Sequence, residues 1–266
     1  MSVVYGLLVV GGACLAAVLG LALVQRLVPM TIRKEHNDVA GFIYAVVGVI
    51  YAVLLALVVI ATWEEFGRAR ITVETAANAL AEIFWLAHEL PEPEGPHLQE
   101  LARSYAEVVV DEEWPQMQQG RTPLMEHTQT TPTGWVLIDD IRATVQEIEP
   151  RTQAEQELYA QGLDQVQRLA DARRTRLVQA EEGIPSVLWV VLIVGGMVAV
   201  GFAYLFGLAN TWAHRLMVVS LAGVIALVLF TIGVMDHPFS GGARIGTGAF
   251  ELVLNRFETS KLSDLR

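Results

Sequence analysis

Four stretches of this 266-residue chain run for 20 residues or more without an Asp, Glu, Lys or Arg: Met1–Gln25, Val39–Trp63, Gly183–His214 and Leu216–Met235. A hydrocarbon core of about 30 Å takes roughly 20 helical residues to cross, so each stretch is long enough to span it. The intervals between them are about 13 residues, about 120 residues, and then little more than Arg215. This pattern predicts an all-α fold of four transmembrane helices, with a helical soluble insert between the second and third spans. The expected divisions are 1–62 for the first two transmembrane helices, 63–184 for an acidic helical extramembrane insert, 185–235 for helices three and four, and 236–266 for a C-terminal tail.

Charge is partitioned in the same way. The chain carries a formal net charge of −11, yet residues 63–184 hold 23 acidic against 10 basic residues, and the remainder is slightly basic. An acidic insert argues against nucleic acid as a partner, because phosphate binding needs clustered Lys and Arg. The single cysteine, Cys14, lies within the first span, so no intramolecular disulfide is possible. The N-terminal stretch lacks a basic n-region and an A-x-A cleavage signal, and Gly11-Gly12-Ala13-Cys14 has Gly where a lipoprotein box carries Leu. Met1–Val24 is therefore expected to be a retained span.

Small residues recur every three or four positions in three spans. Span one carries Gly12, Ala16 and Gly20; span two carries Gly41, Ala45, Gly48, Ala52 and Ala56; span three carries Gly195, Ala199, Ala203 and Gly207. Such stripes let helix backbones approach closely in lipid, where burying apolar surface gains nothing. They serve packing within one subunit, and three of them also suit a homo-oligomer. The insert reads as helical throughout. Phe66, Val73, Ala77, Leu80, Phe84 and Ala87 form an a/d-like seam that continues span two without a breaker to about Leu90. A second helix carries Leu98, Leu101, Tyr105 and Val108 and is expected to end near Trp114-Pro115. A Thr- and Pro-rich loop, Gly120–Gly134, leads to a third helix with Trp135, Ile138, Ile141, Val145 and Ile148. Thr152 and Glu155 form a capping box for a fourth, which carries Leu158, Val166, Leu169 and Leu177. In the tail, Phe250, Val253, Leu254 and Phe257 suggest a short amphipathic helix at the membrane surface.

Three segments occur together: His36-Asn37-Asp38-Val39-Ala40-Gly41-Phe42-Ile43-Tyr44-Ala45-Val46-Val47-Gly48, Thr75-Ala76-Ala77-Asn78-Ala79-Leu80, and Asp236-His237-Pro238-Phe239-Ser240-Gly241. This combination resembles a bacterial family of four-span membrane proteins described as bestrophin-like, over nearly the whole chain. The resemblance implies kinship with bestrophins, which are pentameric anion channels with a pore lined by span two. The aromatic neck and the acidic calcium clasp of true bestrophins have no match here.

On that footing the candidate pore-mouth or pore-lining residues are Asn37, Asp38, Gly41, Tyr44, Gly48, Tyr51 and Leu55. Each has a plainer role beside it. Asn37 and Asp38 suit a helix N-cap. Tyr44 and Tyr51, seven apart on one face, need hydrogen-bond partners in hydrocarbon and find them on a neighbouring helix as readily as along a polar path. An apolar pore gates by dewetting but does not by itself choose anion over cation. Asp236 and His237, at the end of span four, are interface candidates: a pH-sensing pair, or simply the chain's exit before Pro238. His214-Arg215 reads as an interfacial anchor. His36 beside Asp38 offers two metal ligands, fewer than a site needs, so no metal and no cofactor is expected.

No nucleophile–base arrangement or phosphate loop appears, and an enzyme is not expected. The spans hold no mid-membrane acid or base of the kind active transporters use. The expected function is a homo-oligomeric passive ion channel in the cell membrane, its partners the lipid bilayer, its own copies and ions. The alternative is a non-conducting membrane-anchored sensor or scaffold whose acidic insert binds a cation or a partner protein. Basic residues after span one place the termini and insert outside, whereas the family resemblance implies the reverse.

Overall fold

The structure of the chain, a computed structural model, describes residues 3–30, 33, 37–121 and 134–263. Every regular element among the described residues is helical: α1 (Val3–Leu27), α2 (Asn37–His88), α3 (Glu94–Val108), a π-helical turn (Val109–Glu113), α4 (Trp114–Gln118), α5 (Gly134–Gln146), α6 (Gln153–Glu181), α7 (Ser186–Tyr204), α8 (Thr211–Met235) and α9 (Gly248–Ser263). Among the described residues four helices are long and apolar enough to cross a membrane, at Val4–Leu27, Val39–His88, Ser186–Tyr204 and Thr211–Met235. The chain folds as two compact units: residues 1–65, 183–236 and 241–243, and residues 66–182, 237–240 and 244–266.

The first unit contains α1, the Asn37–Glu65 portion of α2, α7 and α8. Its most extensive helix pair is α1 with α8, where Ala17 and Leu21 meet Val218 and Ala222. Glycine makes this approach possible. A Cβ on Gly6 would lie 2.7 Å from the Phe230 ring of α8, and, where α1 meets α7, one on Gly20 would lie 2.8 Å from the Tyr204 hydroxyl. The turn between α7 and α8 is capped by Asn210, whose side-chain oxygen accepts hydrogen bonds from the amides of Trp212 and Ala213. Two sequence expectations change here. Gly207 lies beyond the end of α7, so it packs in the turn and not on a helical stripe. His214 is buried inside α8's first turns, its Nε2 2.9 Å from the carbonyl of Ala203, so it is a packed residue and not a surface anchor.

The second unit has a single large core. Val73, Leu80 and Phe84 of α2 pack with Leu98 and Tyr105 of α3, Ile138 and Ile141 of α5, and Val166 and Leu169 of α6. The helix expected to stop near Trp114-Pro115 instead continues to Gln118. Proline clashes with the carbonyl four residues before it in an α-helix. The π turn just ahead, closed by Trp114 N–H to the Val109 carbonyl, widens the backbone where Pro115 enters. Thr152 caps α6, with its side chain accepting from the Glu155 amide while Glu155 accepts from the Thr152 amide. The tail is also corrected. Phe250 and Phe257 of α9 are fully buried in this core, and Phe257 stacks on Phe84 at 3.8 Å. The apolar face of α9 is therefore covered by protein and not laid on a membrane surface.

Candidate functional site

The spanning portion of α2, Val39–Trp63, carries no ionisable group except Tyr44 and Tyr51, so whatever it contacts it contacts through shape and dipoles. At 100° per residue its positions sort into three faces. Tyr44, Tyr51, Val58 and Thr62 share the first face; Tyr51, Val58 and Thr62 are buried within the unit. The Tyr51 hydroxyl donates to the Leu192 carbonyl of α7 at 2.8 Å. Its ring lies over Gly195 and Gly196, where an added Cβ would come within 2.7 Å of the ring and 2.9 Å of the hydroxyl oxygen. Tyr44 stacks edge-on to Phe206 with centroids 5.5 Å apart. Thr62 donates back to the Val58 carbonyl within α2 itself.

The second face is small. Ala45, Ala52 and Ala56 are exposed; Gly48 has no atom within 4 Å of where a Cβ would stand, and Gly41 has only the Phe206 ring at 3.9 Å. Leu55 sits at the margin, half-buried beside Leu54 and Leu229. The third face is large and apolar: Phe42, Val46, Val49, Val53, Leu57 and Ile60 are all exposed. The stripe chosen from sequence therefore divides. Tyr44 and Tyr51 are turned into the chain's own packing, while Gly41 and Gly48 border its open side.

Asn37 opens α2 and holds the α7–α8 turn. Its amide nitrogen donates to the Gly207 carbonyl at 3.3 Å and its oxygen accepts from the Gly207 amide at 3.0 Å. His36 and the side chain of Asp38 lie outside the described residues. Asp236 receives the Ile184 amide at 2.6 Å on one carboxylate oxygen and the Trp189 indole N–H at 3.2 Å on the other, joining the end of α8 to the start of α7.

Of the small-residue positions, Gly12 has open space around it and Ala16 is exposed, whereas Gly195 and Ala199 are packed against Tyr51 and its neighbours. An apolar cleft of about 290 Å³ lies among α1, α7 and α8, lined by Ala13, Ala16, Ala17, Gly196, Val200 and Ala222 among others. Among the described residues no group of three His, Cys, Asp or Glu side chains is placed to hold a metal.

An all-helical protein with four membrane-length helices and a helical extramembrane core is the class these features define. The bestrophin-like domain profile matches residues 11–250, and the chain belongs to that family. No protein of curated function matches the chain in sequence. Its fold is similar to crystal structures of a bacterial bestrophin homologue from Klebsiella pneumoniae. One variant superposes with a TM-score of 0.69 at 12% identity, covering 93% of this chain and 98% of that one. A second variant gives a TM-score of 0.64 at 15% identity, covering 97% of each. A zinc-phased structure of the homologue gives 0.66 at 13% identity, covering 92% and 95%. At identities this low the likeness establishes a shared fold.

Proposed function

We propose that the chain is a multi-pass cell-membrane protein that assembles as a homo-oligomer and conducts ions passively, with α2 lining a central pore. The observation that carries this reading is the one-sided packing of α2. Its tyrosine face anchors it to α7, while a small face and a broad apolar face are left for other copies or for the pore. Gly41 and Gly48 stand where a narrow passage would pass the backbone; Tyr44 and Tyr51 hold the helix in rotation. The mouth candidates Asn37 and Asp38 open the same helix. A wall of this kind gates by wetting and drying, and the preference for anions rests on the family and not on any charge in the span.

Single-channel recording from the purified full-length chain in planar bilayers tests the reading. Ala52→Asn hydrates the small face that carries Gly48 and is expected to raise conductance, Gly48→Leu to lower it, and Leu15→Asn on the exposed side of α1 to leave it unchanged. Reversal potentials in asymmetric chloride then report the ion. Silence from folded, oligomeric protein would overturn conduction and leave the acidic insert as the working part of a membrane-anchored scaffold.

A further inference from the structure

The core of the second unit contains a charge cluster that conduction does not require. The π turn ends at Glu113, which points inward while Asp111 and Glu112 are exposed. Glu113 receives one hydrogen bond from Arg173 and another, at 2.5 Å, from Arg176. Both arginines come from α6 and are almost completely enclosed, at 2% and 0% exposure. Arg176 lies 5.6 Å from the Trp114 ring centroid and 5.5 Å from that of Phe250, and Arg173 lies 5.0 Å from that of Trp135.

Two buried guanidiniums thus share one carboxylate. The ionisable groups acting on the neighbouring phenol Tyr105 are Arg176, Glu113 and Arg173, and burial holds that phenol above its usual range, so it adds no negative charge. Among the described residues the cluster is left one positive charge in excess. It is also short of acceptors: Arg173 donates toward the Tyr105 hydroxyl, but among the described residues nothing accepts from that hydroxyl, from Nε and Nη1 of Arg176 or from Nε of Arg173. Aromatic faces attract a cation but take no in-plane N–H bond. Buried polar groups are almost always satisfied, and a buried charge is paired.

We propose that Arg176 and Tyr105 hold one small monovalent anion of halide type inside the second unit. The anion supplies a negative charge absent among the described residues and accepts hydrogen bonds from donors that none of those residues satisfies. Packing favours the smallest anions: the donors are fully buried, and beside the same cluster a Cβ on Gly134 would already lie 2.5 Å from both the Arg173 Nη1 and the Glu113 carboxylate. The site is structural and lies outside the proposed pore; its reality does not depend on whether the protein conducts.

The test is thermal unfolding of the detergent-purified full-length chain at constant ionic strength, with chloride or bromide exchanged for gluconate, which is too large to enter. The midpoint is expected to rise by about 3–5 °C for each tenfold increase in halide once the site begins to fill. Arg176→Met, which removes the excess charge while keeping an apolar stem between the rings, is expected to flatten that dependence. If that variant does not fold, Tyr105→Phe is expected to shift the dependence to higher halide. In crystals grown with bromide, an anomalous peak within hydrogen-bond distance of Arg176 would place the ion. Equal midpoints in halide and gluconate, or an unchanged halide slope in both variants, would overturn the proposal; a buried water in place of the ion gives the first of these results.

Discussion

The two units bury their side chains by opposite means. The second is held by large residues, with Trp114, Tyr105, Phe239, Phe250 and Phe257 almost fully enclosed, and Trp114 and Phe250 lie against the charge cluster. The first encloses little. Leu7, Leu15, Leu19, Phe42, Val53 and Val190 stand exposed, and its close contacts are made at glycine and alanine or through one or two hydrogen bonds from a side chain to backbone groups. The difference follows from solvent. In water, apolar area removed from solvent supplies roughly 25 cal/mol per Å², so a core is built from the largest side chains that fit. In lipid that gain vanishes, and helices are held by close van der Waals approach and by polar groups that have no other partner. The same chain obeys both rules and changes from one to the other along α2, where Glu64 and Glu65 end the charge-free run.

Substitutions test that contrast. The largest effect is expected in the second unit. Glu113→Gln leaves two enclosed guanidiniums without a carboxylate and is expected to cost about 3–5 kcal/mol, the range for breaking a buried ion pair, measured by chemical unfolding. A matched pair within the first unit follows. Gly195→Ala drives a methyl into the Tyr51 ring and is expected to destabilise by about 1–3 kcal/mol, whereas Gly48→Ala meets nothing and is expected to be neutral or slightly stabilising in the isolated subunit. A large loss from Gly48→Ala would show that a second copy presses there. Thr152→Ala removes the α6 cap and is expected to lower the midpoint by roughly 2–4 °C. Amide hydrogen bonds from Arg151 and Thr152 hold the Glu155 carboxyl below its ordinary range, so its share of the cap is complete above the unfolded-state value and fades as pH falls through the lowered one. The smallest effect is expected from Tyr51→Phe, which loses one interhelical hydrogen bond in lipid worth about 0.6 kcal/mol. If Tyr51→Phe proved more damaging than Gly195→Ala, the hydroxyl rather than the ring's fit would be the anchor.

Much of the fold was legible because it rests on periodicity. Charge-free runs marked the spans, the seam from Phe66 to Ala87 carried α2 past the membrane boundary, and Thr152 with Glu155 marked a helix start. The charge cluster was not legible for a definite reason. Arg173 and Arg176 interrupt the apolar positions of α6 between Leu169 and Ala180, and there they read like the exposed Arg168 and Arg174 beside them. The signal was register: they lie four and seven residues after Leu169, on its own face. Their partner Glu113 is 60 residues away, behind a π turn that shifts the helical phase. On α2, a seven-residue spacing grouped Tyr44 with Tyr51 correctly, but spacing alone does not say whether a face meets its own chain or an opening.

The second unit takes its core from three separated lengths of chain: Phe239 comes from the second of them, and Phe250, Val253 and Phe257 from the last. A ribosome makes those residues only after α7 and α8 have been completed. At roughly 5–20 residues per second, the stretch from Glu182 to Phe257 occupies on the order of 10 s. Throughout that interval the nascent insert has Phe84, Tyr105 and Trp114 in place but lacks the aromatic residues that complete their packing. The soluble half therefore matures last although most of it is made before the third span, and a premature stop ahead of Gly248 would leave four spans joined to an unfinished domain that quality-control proteases recognise.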